Sequence, residues 1–188
     1  AVGLSLVSIN YGDIMESGWA GTTEFVFEPN QGSFTPTDMS LQASYGRSLS
    51  DKFSLGGTAK MISQSIDDVS ISGLAFDIGT QFNTGYRGIS MGAVVSNFGP
   101  DVDSQAPEDA SYEEFPGMSL PMTFSFGVVG EAIPGLNAGL NVLKQADMAQ
   151  EFIFNGEYSV AGLASLRFSY NISNEQQPMS FGVGLGMA

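Results

Sequence analysis

Cysteine and histidine are both absent from the 188 residues. Without cysteine there is no disulfide, no thiolate nucleophile and no cysteine-ligated zinc. Without histidine the commonest general base and the commonest transition-metal ligand are also missing. Basic residues are scarce, 6 against 20 acidic ones, and the net charge is -14. Such a chain has little with which to neutralise a phosphate backbone, so no nucleic-acid partner is expected. Charged residues make up 14%, against about 25% in an ordinary soluble domain. No apolar run approaches the roughly 20 residues of a membrane-spanning helix. No serine sits in a GxSxG frame and no GxxxxGK[ST] loop occurs, which removes two widespread catalytic signatures. The neighbouring carboxylates Asp67-Asp68 and Glu113-Glu114 are adjacent in sequence, whereas glycosidase chemistry needs two held apart across a cleft. These absences together predict a chain that is not an enzyme.

What the chain does have is glycine, 24 residues, and phenylalanine, 14, arranged with a period of two. In 73–83, Leu74, Phe76, Ile78, Thr80 and Phe82 alternate with Gly73, Ala75, Asp77, Gly79, Gln81 and Asn83. The same split recurs where Met122, Phe124, Phe126 and Val128 alternate with Thr123, Ser125 and Gly127. It recurs again where Met179, Phe181, Val183, Leu185 and Met187 alternate with Ser180, Gly182, Gly184 and Gly186. Side chains of a strand point to opposite faces in turn, so each segment reads as a strand with one apolar face and one small, polar face. Read as helices they would scatter both sets around the circumference and carry mid-helix glycines at about 1 kcal/mol each.

Turn residues cut the chain at hairpin spacing, at Ser50-Asp51-Lys52, at 84–88, at Pro134-Gly135 and at 174–178. Strands are expected at about 2–11, 21–27, 39–48, 53–66, 73–83, 89–98, 121–130, 136–143, 151–160, 163–172 and 179–187. Two stretches break the rhythm and read as long loops, 12–38 and 100–118. The second is acidic, and within it Asp101, Asp103, Glu108 and Asp109 offer hard oxygen ligands to calcium, though without the full twelve-residue loop of a high-affinity site.

An all-β fold follows, with 1–188 forming a single domain. The strand lengths and the greasy alternate face suit an antiparallel transmembrane β-barrel, which needs no apolar helix. In that reading the apolar face meets the lipid bilayer and the polar face an enclosed lumen, into which Lys60, Asp77, Glu157 and Arg167 project as ion-pair partners. A soluble β-sandwich binding module fits the same alternation, its apolar face then being the core.

Several runs carry a resemblance: 41–60 (LQASYGRSLSDKFSLGGTAK), 73–79 (GLAFDIG), 92–100 (GAVVSNFGP) and Leu120-Pro121-Met122. In these the chain resembles the PorV/PorQ family of bacterial outer-membrane proteins, whose architecture is that of FadL-type barrels. The resemblance implies a barrel of about fourteen strands, of which this chain covers a C-terminal portion. It also implies an outer-membrane location and other envelope proteins as partners, as in type IX secretion. A FadL-like uptake channel for small hydrophobic molecules is the other role the architecture suggests.

Overall fold

The computed structural model describes residues 1–16, 32–105, 117–160, 163–174 and 177–186. The strand expected at 21–27, Met187, and the acidic residues Glu108 and Asp109 lie outside them. Thirteen strands follow in chain order: β1 (Val2–Asn10), β2 (Ile14–Met15), β3 (Ser33–Phe34), β4 (Thr37–Ser48), β5 (Phe53–Ile66), β6 (Val69–Asn83), β7 (Ser90–Phe98), β8 (Ser104–Gln105), β9 (Thr123–Ile133), β10 (Leu136–Gln145), β11 (Glu151–Val160), β12 (Ala164–Asn171) and β13 (Met179–Leu185). Ten of them form one antiparallel sheet in the order β1-β4-β5-β6-β7-β9-β10-β11-β12-β13. The two remaining places are minor: β8 pairs with β6, and β2 with β3 make a separate two-stranded ribbon.

Sequence alternation sets the register. Leu41 stands opposite Met61, Met61 opposite Leu74, and Phe126 opposite both Ala93 and Val142. Directly opposed residues share a face, so the apolar halves of all ten strands merge into one side of the sheet. A slip of one residue in any pair would move that strand's apolar set to the wrong side, which makes the register self-enforcing.

The expected barrel does not form. Among the described residues β1 pairs only with β4 and β13 only with β12, so the sheet is open. Period-two alternation assigns faces to a strand but says nothing about what its last neighbour is, and closure was never encoded in it. An open rim also removes the physical basis for placing the sheet in a bilayer. Backbone groups facing outward from β1 and β13 have no partner in hydrocarbon, at several kcal/mol each. The open sheet therefore supports neither the lipid bilayer as partner nor the outer membrane as location.

No second layer covers the sheet among the described residues. Among the described residues only Pro36, Ala75 and Val102 are buried apolar side chains, while Leu41, Phe76, Phe124, Phe168 and Phe181 are all exposed. Along β4 the polar-face residues Asp38, Ser40, Gln42, Ser44 and Gly46 are half-buried, and the apolar-face residues between them are exposed. The polar side is the sheltered one.

Part of that shelter comes from the excursion after β7. Gly99 crosses β6 where an added Cβ would lie 2.3 Å from the carbonyl oxygen of Leu74, so only glycine passes there. Val102 then sits in a notch at Gly73, where a Cβ would meet its Cγ1 at 2.2 Å. Val102 pairs with Met118, and Ser104 and Gln105 pair with Ile71 and Ser70. Gly73→Ala is expected to lift this flap while sparing the main ladder. Amide hydrogen exchange will then accelerate at Val102 and Met118 and stay unchanged in β9 to β12.

At the far end, Tyr11 Oη donates to Asp38 Oδ2 at 2.6 Å. That hydrogen bond, then the carboxylate's charge and a little desolvation, raises the tyrosine pKa above its ordinary 10.0. The folded state thus favours the neutral phenol. Its stabilising contribution is complete below the free-tyrosine range and is lost as pH rises through the folded pKa. In a spectrophotometric titration Tyr11 should ionise later than free tyrosine, and Asp38→Asn should return it toward the ordinary value.

Candidate functional site

The sheltered polar face carries two ion pairs of different character. β5 and β6 place Lys60 and Asp77 on this face one step apart, since Lys60 stands opposite Ala75 and Asp77 opposite Thr58. Lys60 Nζ lies 2.7 Å from Asp77 Oδ2, with the side chains 15% and 20% exposed. Glu157 and Arg167 oppose each other directly across β11 and β12. Their Arg167 Nε to Glu157 Oε2 separation is 2.5 Å, and they are far more open, at 37% and 60% for glutamate and arginine.

Asn97 joins the first pair. The register between β6 and β7 shifts after Phe76, leaving an extra residue of β7 opposite Asp77. Asn97 occupies the left-handed region at φ 57°, which asparagine tolerates better than most residues. Its backbone N–H donates to Asp77 Oδ1 at 2.9 Å, and its side-chain Oδ1 accepts from Lys60 Nζ at 2.9 Å. Asp77 thus ties the bulge to β6 and Lys60 closes the triangle. The pair was readable from strand parity. Asn97 was not, because a bulge breaks the parity that locates everything else.

Beside the triangle a hollow of about 1040 Å³ opens, lined mainly from the polar face of β4 to β11. Its floor is glycine: Gly46 opposes Gly56, Gly56 opposes Gly79, and Gly92 opposes Gly127. Around that floor stand Ser48, Ser54, Gln81, Ser90, Asn141 and Asn155 together with Val94 and Val129, while Arg47, on the opposite face by register, is the one charged side chain that borders the hollow. Several of these groups are engaged with one another. Ser48 and Ser54 share a hydrogen bond at 3.1 Å, Ser125 donates to Asn141 at 3.1 Å, and Ser90 donates to Asn83 at 2.8 Å. Gln81 and Asn155 have no side-chain hydrogen bond among the described residues and are exposed. Each offers two donors and an acceptor to an incoming molecule. A second hollow of about 420 Å³ adjoins it, shared through Gly139 and Asn155 and lined also by Glu157, Arg167 and Ser169.

Of the four calcium candidates in the 100–118 stretch, Asp101 and Asp103 lie among the described residues. Asp103 Oδ1 accepts from the Gly117 N–H at 3.0 Å, tying the two ends of that stretch together. Among the described residues no three acidic side chains converge as a cation site would require. Asp101 and Asp103 therefore stand without a third ligand there.

The different exposure of the two ion pairs has a measurable consequence. Removing one partner of a half-buried pair strands the other charge, whereas exposed pairs contribute little. Lys60→Met should cost about 1–3 kcal/mol in urea denaturation, because it strands Asp77 and frees the bulge. Arg167→Met should cost under about 1 kcal/mol.

Comparison with known proteins gives no relative to lean on: no protein-family model, no curated protein and no solved structure matches the chain. The PorV/PorQ resemblance thus finds no support, since the runs that suggested it are strand-and-turn patterns common to alternating sheets. With it go the C-terminal share of a fourteen-strand barrel, the envelope partners, the type IX secretion role and the FadL-like uptake channel.

Proposed function

We propose that this chain is a non-enzymatic binding module that holds a neutral, hydrogen-bonding ligand in the hollow of its polar face. The observation that carries this reading is the lining itself. Hydroxyls and amides share the lining of a glycine floor with apolar side chains such as Val94 and Val129, Gln81 and Asn155 have no side-chain hydrogen bond among the described residues, and a single cationic side chain, Arg47, borders it. Glycine lets a ligand lie against backbone that other residues would hold away. Amides and hydroxyls fix orientation by hydrogen bonding without selecting for charge.

The same lining argues against catalysis. A general acid or base needs a group whose proton affinity is tuned toward neutrality; among the described residues the lining side chains include no carboxylate or imidazole, and the Ala1 ammonium there donates to the Gly46 carbonyl. The two ion pairs nearby are closed on themselves, each cation already facing its anion. Binding is what these groups support. Of the readings open from the sequence, the binding module is the one retained, although the apolar face is uncovered rather than sandwiched.

The glycine floor supplies the test. An added Cβ at Gly46 meets only the Leu55 carbonyl at 3.9 Å, and one at Gly92 only the Thr80 carbonyl at 3.5 Å. Both are ordinary contacts, so Gly46→Leu and Gly92→Leu should fold and fill the hollow. Titration of uncharged oligosaccharides and uncharged peptides, followed by NMR shifts, should perturb Gln81 and Asn155 together. The filled variants should weaken that binding by about tenfold or more, as expected when a site is sterically occupied. Shifts that ignore both substitutions, or that appear only with charged ligands, would defeat the proposal.

A further inference from the structure

The two rims of the sheet are made to fit each other. Ala1 and Gly46 exchange both backbone hydrogen bonds, N–H of Ala1 to Gly46 at 2.7 Å and N–H of Gly46 to Ala1 at 3.0 Å. In an antiparallel ladder successive residues turn their backbone groups to opposite sides. Val2, Leu4, Leu6 and Ser8 of β1 therefore direct N–H and C=O away from β4, toward the open rim. At the opposite rim the Gly186 N–H donates inward to Leu163 at 2.8 Å and the Pro178 carbonyl accepts from Asn171 at 2.7 Å. The same alternation turns Met179, Phe181, Val183 and Leu185 outward from β12.

Both outward sets lie on the apolar face, by the registers that join β1 to β4 and β13 to β12. They are also bare, with Val2 79%, Leu4 81%, Phe181 80% and Leu185 80% exposed. Every neighbour in the path of ten is antiparallel, so β1 and β13 run in opposite directions. Direction, hydrogen-bond phase and face phase all agree. Setting Leu4 against Val183 also sets Val2 against Leu185, Leu6 against Phe181 and Ser8 against Met179. Soluble proteins usually guard such edges with lysine, proline, a bulge or brevity. β1 spans 9 residues and β13 spans 7, and neither contains a charged residue or a proline.

We propose that the β13 rim of one copy binds the β1 rim of a second copy, continuing the antiparallel ladder head to tail. Main-chain hydrogen bonds supply the attraction, as in other strand additions, and the opposed apolar residues fix the register. The interface is heterologous, so it leaves one free rim at each end of the pair and propagates to a ring or a chain. Charge does not oppose it at the seam: the outward residues of both rims are neutral, although the chain carries a net charge of -14.

A mixing experiment decides the matter. Leu4→Pro and Val183→Pro each remove an N–H that bonds nothing within the sheet, and proline is tolerated on edge strands. Leu4→Lys and Val183→Lys guard the same rims by charge, should either proline variant lose sheet content by circular dichroism. Analytical ultracentrifugation should show the parent protein associated and each single-rim variant monomeric. An equimolar mixture of a β1-blocked and a β13-blocked variant should recover a species of twice the monomer mass and nothing larger, since each retains one good rim. A monomeric parent protein overturns the proposal. So does association that survives both blocks, which would run through the apolar face, or blocked variants that fail to complement each other.

Discussion

The backbone ladder is the constraint on which everything else rests. Ten strands hold together through antiparallel pairing from β1 to β13 with almost no apolar core beneath them, since Pro36, Ala75 and Val102 are the only buried apolar side chains among the described residues. In most domains a core selects the register and the hydrogen bonds follow. Here the hydrogen bonds and cross-strand side-chain pairs carry the order directly. This is why glycine is tolerated so freely on the polar face. A side chain there would add little burial, and its absence lets neighbouring strands and the Val102 flap approach closely.

The second theme is the inversion of the usual relation between polarity and shelter. The polar face is half-buried and organised, with Lys60, Asp77 and Asn97 closed into a triangle and small hydroxyls paired across strands at Ser44 and Thr58. The apolar face is exposed and carries charge by register only near strand ends, at Arg47 and Lys144. A surface organised by hydrogen bonds discriminates between ligands more sharply than a greasy one, because a mismatched polar group is left unpaired. The sheltered face is therefore the better place to look for specificity, and the open rims the better place to look for assembly.

Much of this was legible in the residues. Alternation marked the ten strands of the main path to within a few positions, though not β2, β3 and β8, which lie in stretches read as long loops. It put Leu74, Phe76 and Ile78 on the side opposite Asp77 and Gly79, as the structure has them. Parity alone set Lys60 and Asp77, and likewise Glu157 and Arg167, on a common face. Three things were not legible. Closure was inferred from strand length and a greasy face, yet neither specifies a partner for the outermost strands. The Asn97 bulge inserts one residue into the period-two count, so the counting that finds its neighbours cannot find it. The flap was invisible because Val102 seats against an absence, the missing side chain of Gly73, and an absence leaves no mark in a hydrophobic pattern.

The even number of strands in the main path has a consequence for how such a sheet can change. Each added antiparallel strand reverses chain direction and also reverses whether the apolar residues turn their backbone groups toward the near or the far side. Gain or loss of one strand would leave rims of equal direction, one offering its bonding groups at apolar positions and the other at polar ones. Gain or loss of a whole hairpin keeps both matched. A sheet of this kind can lengthen or shorten by duplication and deletion only in units of two, which makes the hairpin, and not the strand, its unit of evolution and of engineering.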